Sequence, residues 1–117
     1  MSYMLLIVED PAQRAGRSEA QGREVYAQMV EFGNALKAEG VLRAVESLTS
    51  QSDAARVKVR GGKAQVLDGP FAEAKEMIGG FFLLDCATRD EAVAIARRCP
   101  ASQWATVEVR AVGPCFM

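Results

Sequence analysis

The sequence predicts an α+β fold in which the elements of the main sheet and its helices follow one another as βαββαβ, with a β-hairpin inserted before the third strand. Two observations carry this prediction. Apolar stripes of helical period alternate with short apolar runs, and Gly61-Gly62 separates two arms of alternating polarity. A chain of 117 residues is long enough for an ordinary core, and we expect one domain over residues 1–117.

The first strand is recognised by its polarity. Tyr3 to Val8 is apolar on both faces, which is typical of a central strand that is covered on both sides. Asp10-Pro11 ends this strand, because proline has no backbone N–H to donate to a neighbouring strand. Residues 12–18 are small and polar, and they predict a mobile loop.

The first helix is predicted from its start signal and its apolar stripe. Ser18 and Gln21 form a capping-box pattern, and apolar side chains then recur at three- and four-residue steps until Gly40 supplies the stop. Gly33 lowers the stability of this helix by about 1 kcal/mol relative to alanine, which close approach of the helix to the sheet would offset. Residues 41–48 follow as the second strand.

The middle of the chain predicts a β-hairpin. Residues 55–60 and 63–67 flank Gly61-Gly62, and a two-glycine turn between alternating arms is a strong hairpin signal because both glycines can take positive φ. Arg56, Lys58 and Arg60 alternate with valines on the first arm, which gives the hairpin a basic stripe.

A charged segment follows the hairpin directly, with the sequence Asp68-Gly69-Pro70-Phe71-Ala72-Glu73-Ala74-Lys75-Glu76-Met77. Pro70 suits the first position of a helix, where its missing N–H costs nothing. We therefore expect a capped turn of helix that ends at Gly79-Gly80, with Phe71 anchored in the core.

The last third of the chain supplies a strand, a helix and a strand. Phe81 to Cys86 is apolar on both faces, and Thr88 with Glu91 forms a second capping box for a helix that Pro100 stops. Thr106 to Val112 alternates apolar and charged side chains, which predicts a strand with one face in water.

Without the hairpin, this order is the split β-α-β arrangement of ferredoxin-like folds. Two helices cover only one face of a four-stranded sheet, whereas two of the predicted strands are apolar on both faces. A second copy of the chain, packed sheet to sheet, is the economical cover for the other face. We therefore expect a homodimer.

Composition excludes several classes of function. Fourteen basic and fifteen acidic residues give a net charge of −1, so no whole-chain attraction to nucleic acid is expected. The chain has no histidine, which removes Ser-His-Asp and Cys-His catalysis and histidine metal sites. The three cysteines lack C-x-x-C spacing and fit a reducing compartment, with Cys86 as a core thiol. The apolar run at residues 4–8 is too short to cross a membrane, so we expect a cytoplasmic protein without a metal or redox cofactor.

The chain closely resembles the DGPF family, within the wider YCII-related group. The resemblance covers essentially the whole chain and rests on residues 3–7, 39–42, 57–63, 68–82, 90–100 and 107–110. It implies a ferredoxin-like subunit that forms a dimeric α+β barrel, an architecture shared with small isomerases and cofactor-free oxygenases. In related YCII proteins it implies a histidine–aspartate pair, of which this chain lacks the histidine. For some members it also implies an association with an extracytoplasmic-function sigma factor.

The charged segment has three interpretations. In the first it is a structural turn in which Asp68 accepts backbone hydrogen bonds and the other charges are solvated. In the second, Asp68 and one glutamate lie at the mouth of the barrel as general acid or base, while Lys75 or Arg56 balances charge around a small polar or anionic ligand. In the third the segment is a partner-binding surface. The candidate residues are Asp68, Glu73 and Glu76 for catalysis, and Lys75, Arg56, Tyr3 and Tyr26 for ligand binding, although core packing is the preferred interpretation of both tyrosines.

Two functions remain open on the sequence. The first is a dimeric small-molecule-binding protein with carboxylate-based acid/base catalysis. The second is a non-enzymatic interaction or regulatory protein that acts alongside a sigma factor, with the hairpin and the charged segment as its working surface.

Overall fold

A computed structural model describes residues 1–117 and has the α+β architecture that the sequence predicts. The strands are Ser2–Glu9 (β1), Leu42–Ser47 (β2), Ala55–Arg60 (β3), Lys63–Asp68 (β4), Met77–Asp85 (β5) and Thr106–Ala111 (β6). The α-helices are Pro11–Ala15 (α1), Glu19–Ala38 (α2) and Arg89–Arg98 (α3), and short 3-10 helices span Gln51–Asp53 and Pro100–Gln103. No helix is both long enough and apolar enough to cross a membrane.

The main sheet has four strands in the order β2-β5-β1-β6, and every neighbouring pair is antiparallel. The two central strands, β1 and β5, are far apart in sequence, with α2, β2 and the hairpin between them, and they pair directly in the sheet. Leu5 of β1 lies opposite Phe82 of β5 on one side and Val109 of β6 on the other. This arrangement is compatible with a ferredoxin-like fold.

The core lies between the sheet and its two longer helices. Alternate side chains of β1 point toward the helices and are buried, beginning with Tyr3. The ring of Phe32 on α2 packs edge-on against Phe82, with their centroids 5.2 Å apart, and Leu36 one turn further along α2 is fully buried. The predicted capping box of α2 is present, with the Ser18 hydroxyl accepting from the Gln21 backbone N–H.

The opposite face of the sheet is not covered by any element of the chain. The register brings Met4 opposite Leu83 and Leu6 opposite Phe81, all on the side away from the helices. These four apolar side chains are only partly buried. The prediction that the central strands are apolar on both faces is therefore confirmed, and half of that apolar surface faces outward.

The hairpin of β3 and β4 is a separate two-stranded sheet that extends away from the body. All six residues of each strand are exposed, including Val57, Val59 and Val66 on one face at 66%, 56% and 64%. The radius of gyration is 16.0 Å, whereas a compact chain of this length would have about 13 Å. The extended hairpin accounts for part of this difference.

Two segments differ from the sequence prediction, the first of them at residues 12–18. Pro11–Ala15 forms the short helix α1 instead of a loop, because the Asp10 carboxylate accepts the Ala12 N–H and Pro11 occupies a helix-starting position.

The charged segment is the second difference, because no helix forms between β4 and β5. Gly79-Gly80 does not end a helix but lies inside β5, which begins at Met77 opposite Glu9. The end of the expected helix, at Met77 and Ile78, is instead paired with β1 as part of the sheet. Gly69 packs against the backbone of residues 51–54, where any Cβ would collide with the Gln51 carbonyl. Phe71 is not in the core, since it packs under the guanidinium of Arg56 at 4.0 Å from its ring centre.

The three cysteines occupy two kinds of environment. Cys86 and Cys99 are buried, as predicted for Cys86, whereas Cys115 is exposed. Burial raises the pKa of the Cys99 thiol, and burial together with the nearby Glu91 carboxylate raises the pKa of Cys86. A raised pKa lowers the fraction of reactive thiolate at neutral pH.

We expect a thiol reagent at neutral pH to label the folded protein rapidly at Cys115 alone, because only this thiol is accessible. Cys86 and Cys99 should react only when the protein is unfolded in denaturant. The check is a time course of labelling followed by mass spectrometry, with Cys115→Ser as the control. Rapid labelling of the folded Cys115→Ser protein would contradict the burial of the other two thiols.

Candidate functional site

A cleft of about 700 Å³ lies between α2 and the sheet. Its floor is formed by the ends of β1 and β5, and its far wall by β2 and the residues that follow it. Arg14, Arg17 and Trp104 close its inner end. Volumes between about 300 and 1,000 Å³ are typical of sites for small ligands.

The cleft exists because α2 packs on the sheet through only one half of its length. Phe32 and Leu36 in the C-terminal half are buried, whereas Val25 in the N-terminal half lines the open cleft. Met29, in the middle of the helix, packs against the core, with its sulfur 3.9 Å from the Cys99 thiol. The helix does not approach the sheet so closely at Gly33 that a glycine is required there, because an added Cβ would meet only the Phe82 ring, at an ordinary 3.6 Å. The sequence-based explanation of this glycine is therefore wrong.

Glu9 lies at the floor of the cleft and is the buried charged residue of the chain, with 6% of its surface exposed. Its carboxylate forms an ion pair with Arg14 on α1. The Arg14 guanidinium also donates to the carbonyls of Leu48, at 2.7 Å, and Gly79, at 3.5 Å. Arg14 thus joins the ends of β1, β2 and β5 at one point.

The Glu9 carboxylate has hydrogen-bonding capacity that the chain does not use. Its Oε1 atom is fully buried against the Arg14 guanidinium, and only 5% of the Glu9 side chain stays exposed. An ionised carboxylate offers about four lone-pair positions, more than this ion pair uses. A donor that enters the cleft can meet the carboxylate only at the small part of the side chain that stays exposed.

Gly79 makes room for this ion pair. A Cβ at position 79 would collide with Oε1 of Glu9 and would lie 2.7 Å from the Nη2 atom of Arg14. The sequence analysis missed Glu9, Arg14 and Gly79. One signal could have found Glu9, because it continues the inward alternation of Tyr3, Leu5 and Ile7 by one further step of two residues.

Arg17 lies at the inner end of the cleft near Trp104, with its guanidinium carbon 6.0 Å from the centre of the indole ring. No carboxylate of the chain lies within ion-pair distance of Arg17. Its charge is therefore held near the cleft by a weak cation–π contact and keeps its donors free.

A second cavity of about 500 Å³ lies on the other side of Glu9. Lys75 and Glu76 of the charged segment line it, together with Asp10 and Thr106. Glu9 and Trp104 line both cavities, so these two residues form a shared wall.

The structure separates the other residues that the sequence singled out. Asp68 and Glu73 are exposed and line neither cavity, and Arg56 packs on Phe71. Tyr3 is a core residue, whereas Tyr26 is 58% exposed and lines the cleft, which corrects the core interpretation of Tyr26. Because the segment is not helical, Glu73 and Glu76 do not lie on one face of a helix. The catalytic roles of Asp68, Glu73 and Glu76 stay predictions.

No group of three or more cysteine, aspartate or glutamate side chains lies close enough together to hold a metal ion. The ionisable groups that line the cleft are instead the carboxylates of Glu9 and Glu46, the guanidinium groups of Arg14 and Arg17, the Lys37 ammonium and the Tyr26 phenol. These groups can accept a proton or a hydrogen bond and can pair with an anion.

The fold and the cleft define an α+β protein with a ferredoxin-like order of elements and one enclosed carboxylate. The YCII-related domain family matches residues 1–115 of the chain. An uncharacterised protein of Rhizobium meliloti (strain 1021) is 34% identical over 97 residues, which make up 83% of this chain and 78% of that protein. The chain belongs to the YCII-related family.

We expect Gly79→Ala to lower the free energy of unfolding by about 1–3 kcal/mol, because the added methyl group displaces the buried ion pair. The loss should be clearly smaller when Glu9→Ala is already present, since one of the two colliding side chains is then absent. Urea unfolding of the four proteins of this double-mutant cycle measures the coupling.

Gly22→Ala on α2 is the matched control, because an added Cβ there meets nothing within 4 Å. This variant should gain up to about 1 kcal/mol from the higher helix propensity of alanine. Equal losses for Gly79→Ala in both backgrounds would show that the ion pair does not occupy this position.

Proposed function

We propose that this YCII-related protein binds a small polar or anionic molecule in the cleft between α2 and the sheet, with Glu9 as the acceptor of its proton or hydrogen bond. The observation that carries the proposal is the Glu9 carboxylate, which is buried in an ion pair with Arg14 and lines a cleft of ligand size. Burial of a charge is unfavourable unless it is compensated, and a hydrophobic pair of equal volume is often at least as stable. A ligand that uses the carboxylate gives a reason for its presence.

In this proposal Arg14 and Glu9 have different roles: Arg14 positions the carboxylate, and Glu9 transfers the proton. Arg14 holds the carboxylate in place through its bonds to the Leu48 and Gly79 carbonyls. A bound ligand excludes water from Glu9, and the carboxylate then takes a proton from an acidic O–H, N–H or C–H group of the ligand and can return it to another atom. Such a step is an isomerisation or an enolisation and needs no cofactor.

The charged segment supplies a second set of groups in the same proposal. Lys75 and Glu76 line the cavity behind Glu9. In this proposal they exchange protons with the Glu9 carboxylate through water. Asp68, Glu73 and Arg56 line neither cavity of the single chain, and we propose that they act at the mouth of a dimeric barrel of the DGPF type.

We also propose that a second copy of the chain covers the open face of the sheet. Met4, Leu6, Phe81 and Leu83 form a row of partly exposed apolar side chains on this face. An exposed apolar patch of this kind marks an interaction surface. A two-fold axis over the sheet would hide the patch of both copies at once.

The hairpin supports the second candidate function, an interaction protein that acts alongside an extracytoplasmic-function sigma factor. An isolated two-stranded hairpin is marginally stable in water, and this one exposes both of its faces. Arg56, Lys58 and Arg60 form a basic stripe opposite the valine face. A partner with an acidic, partly apolar groove would fit both faces.

A thermal-shift screen against small metabolites tests the cleft. We expect at least one compound to stabilise the protein, by about 2.7 kcal/mol when its concentration is a hundredfold above Kd. The effect should be lost in Glu9→Gln and kept in Asp68→Asn and Glu73→Gln. The reverse pattern would move the site to the charged segment, and the absence of any stabilising compound would favour the interaction protein.

Sedimentation equilibrium tests the dimer. The protein should sediment at twice its monomer mass of 12.6 kDa at micromolar concentration, and Leu6→Glu should convert it to a folded monomer because a charge is then placed in the centre of the interface. Ala27→Glu, on an exposed position of α2, is the matched control and should remain dimeric. A well-folded monomer of the unaltered chain would contradict the proposal.

A further inference from the structure

We propose that the ligand of the cleft is an amphipathic monoanion, with a compact apolar body between α2 and β2 and one carboxylate-like group paired with Arg17. This inference rests on the proposed function and specifies its ligand class. It draws on the distribution of charge in the cleft, the apolar walls, and two glycines of α2 that packing does not explain.

Aliphatic side chains line the cleft on both sides. Val25 and Val30 of α2 line one wall, and Val45 of β2 and Leu48 line the other. Val30, Val45 and Leu48 are 43%, 40% and 45% exposed, so these aliphatic side chains meet water in the empty cleft. An apolar body that enters the gap would remove this surface from water, which is favourable.

The inner end of the cleft carries a net positive charge. Glu9 and Arg14 neutralise each other as an ion pair, whereas Arg17 has no carboxylate partner in the chain. The N-terminus of the twenty-residue helix α2 begins at the same end, next to Ser18, and adds the positive end of its dipole. A single anionic group is therefore favoured there.

Glu9 also lines the cleft near Arg17. Its Oε1 atom is fully buried in the ion pair with Arg14, and only 5% of its side chain stays exposed. A hydroxyl or an acidic C–H group next to the anionic end of the ligand would meet this exposed part of the side chain. The preferred monoanion thus carries such a group adjacent to its carboxylate.

The glycines of α2 keep the space for the apolar body open. Gly22 and Gly33 both line the cleft and lie three helical turns apart on the same side of the helix. Each lowers helix stability relative to alanine. Neither is required by its protein neighbours, since an added Cβ at Gly22 meets nothing within 4 Å and at Gly33 makes only an ordinary contact. A larger side chain at Gly22 would extend into the gap, whereas one at Gly33 would first meet the Phe82 ring.

The test uses three probes that share an eight-carbon chain, octanoate, 1-octanol and octylamine, titrated into the full chain by calorimetry. Octanoate should bind at least about tenfold more tightly than octanol, because a charge-assisted pair with Arg17 adds to the same apolar contact. Octylamine should bind more weakly than octanol, since its cation is repelled at the inner end of the cleft.

Two variants locate the two halves of the ligand. Arg17→Gln should lower octanoate affinity about tenfold and leave octanol affinity unchanged. Gly22→Met should weaken both probes together, because its side chain enters the gap from a position where a Cβ is tolerated. Ala27→Met, at an exposed position of the same helix outside the cleft, is the control and should change neither affinity.

The outcomes separate this inference from the proposed function. Equal affinities for octanoate and octanol, or an unaltered octanoate affinity in Arg17→Gln, would overturn the monoanion. A ligand from the metabolite screen that depends on Glu9 would then leave the cleft itself standing. Octanoate binding that Gly22→Met does not weaken would place the probe elsewhere and would overturn the inference as well. If no probe binds and no metabolite depends on Glu9, both proposals are wrong.

Discussion

The ion pair between Glu9 and Arg14 is the contact on which the candidate site depends. A buried carboxylate without a cation would destabilise the fold strongly, so the chain must bring an arginine to the end of β1. The short helix α1 does so, since Asp10 and Pro11 start it and Arg14 follows on its last turn. Once in place, Arg14 also bonds the backbone where β2 ends and β5 passes. At the floor of the cleft, Arg14 therefore connects the end of β1, the end of β2 and the start of β5.

Much of the fold follows from short-range patterns that the sequence displays directly. The capping box at Ser18 and the N-cap at Thr88 start α2 and α3 where they were predicted, although the Glu91 side chain accepts from the Ala87 N–H and does not complete a capping box at Thr88. Gly61-Gly62 turns the hairpin with both glycines at positive φ. Such signals are local, because a cap or a turn is satisfied by residues within four positions of it. The βαββαβ order follows from their sequence along the chain.

The charged segment shows where local signals fail. Pro70 and the polar residues after it suit the first turn of a helix, but so short a segment gains few helical hydrogen bonds to compensate for its nucleation. Met77 and Ile78 instead pair with Glu9 and Val8 of β1. That pairing depends on a strand almost seventy residues earlier, and no window of sequence around Pro70 contains it.

The candidate site was predicted less well than the fold for the same reason. The sequence drew attention to Asp68, Glu73 and Glu76 because charges are concentrated there, whereas the structure encloses Glu9, which follows an apolar strand and has only Asp10 as an acidic neighbour in sequence. Glu9, Arg14 and Gly79 come together only through the register of β1 with β5. Only the inward alternation of β1, which includes Glu9, is visible without that register.

Trp104 occupies the wall between the two cavities, and it is the only indole in the chain. Its fluorescence therefore arises from one place, where the guanidinium of Arg17 lies on one side and the surroundings of Lys75 and Glu76 on the other. Water that leaves either cavity changes the polarity around the same ring. The intrinsic fluorescence of Trp104 therefore reports the hydration of both cavities without an added label.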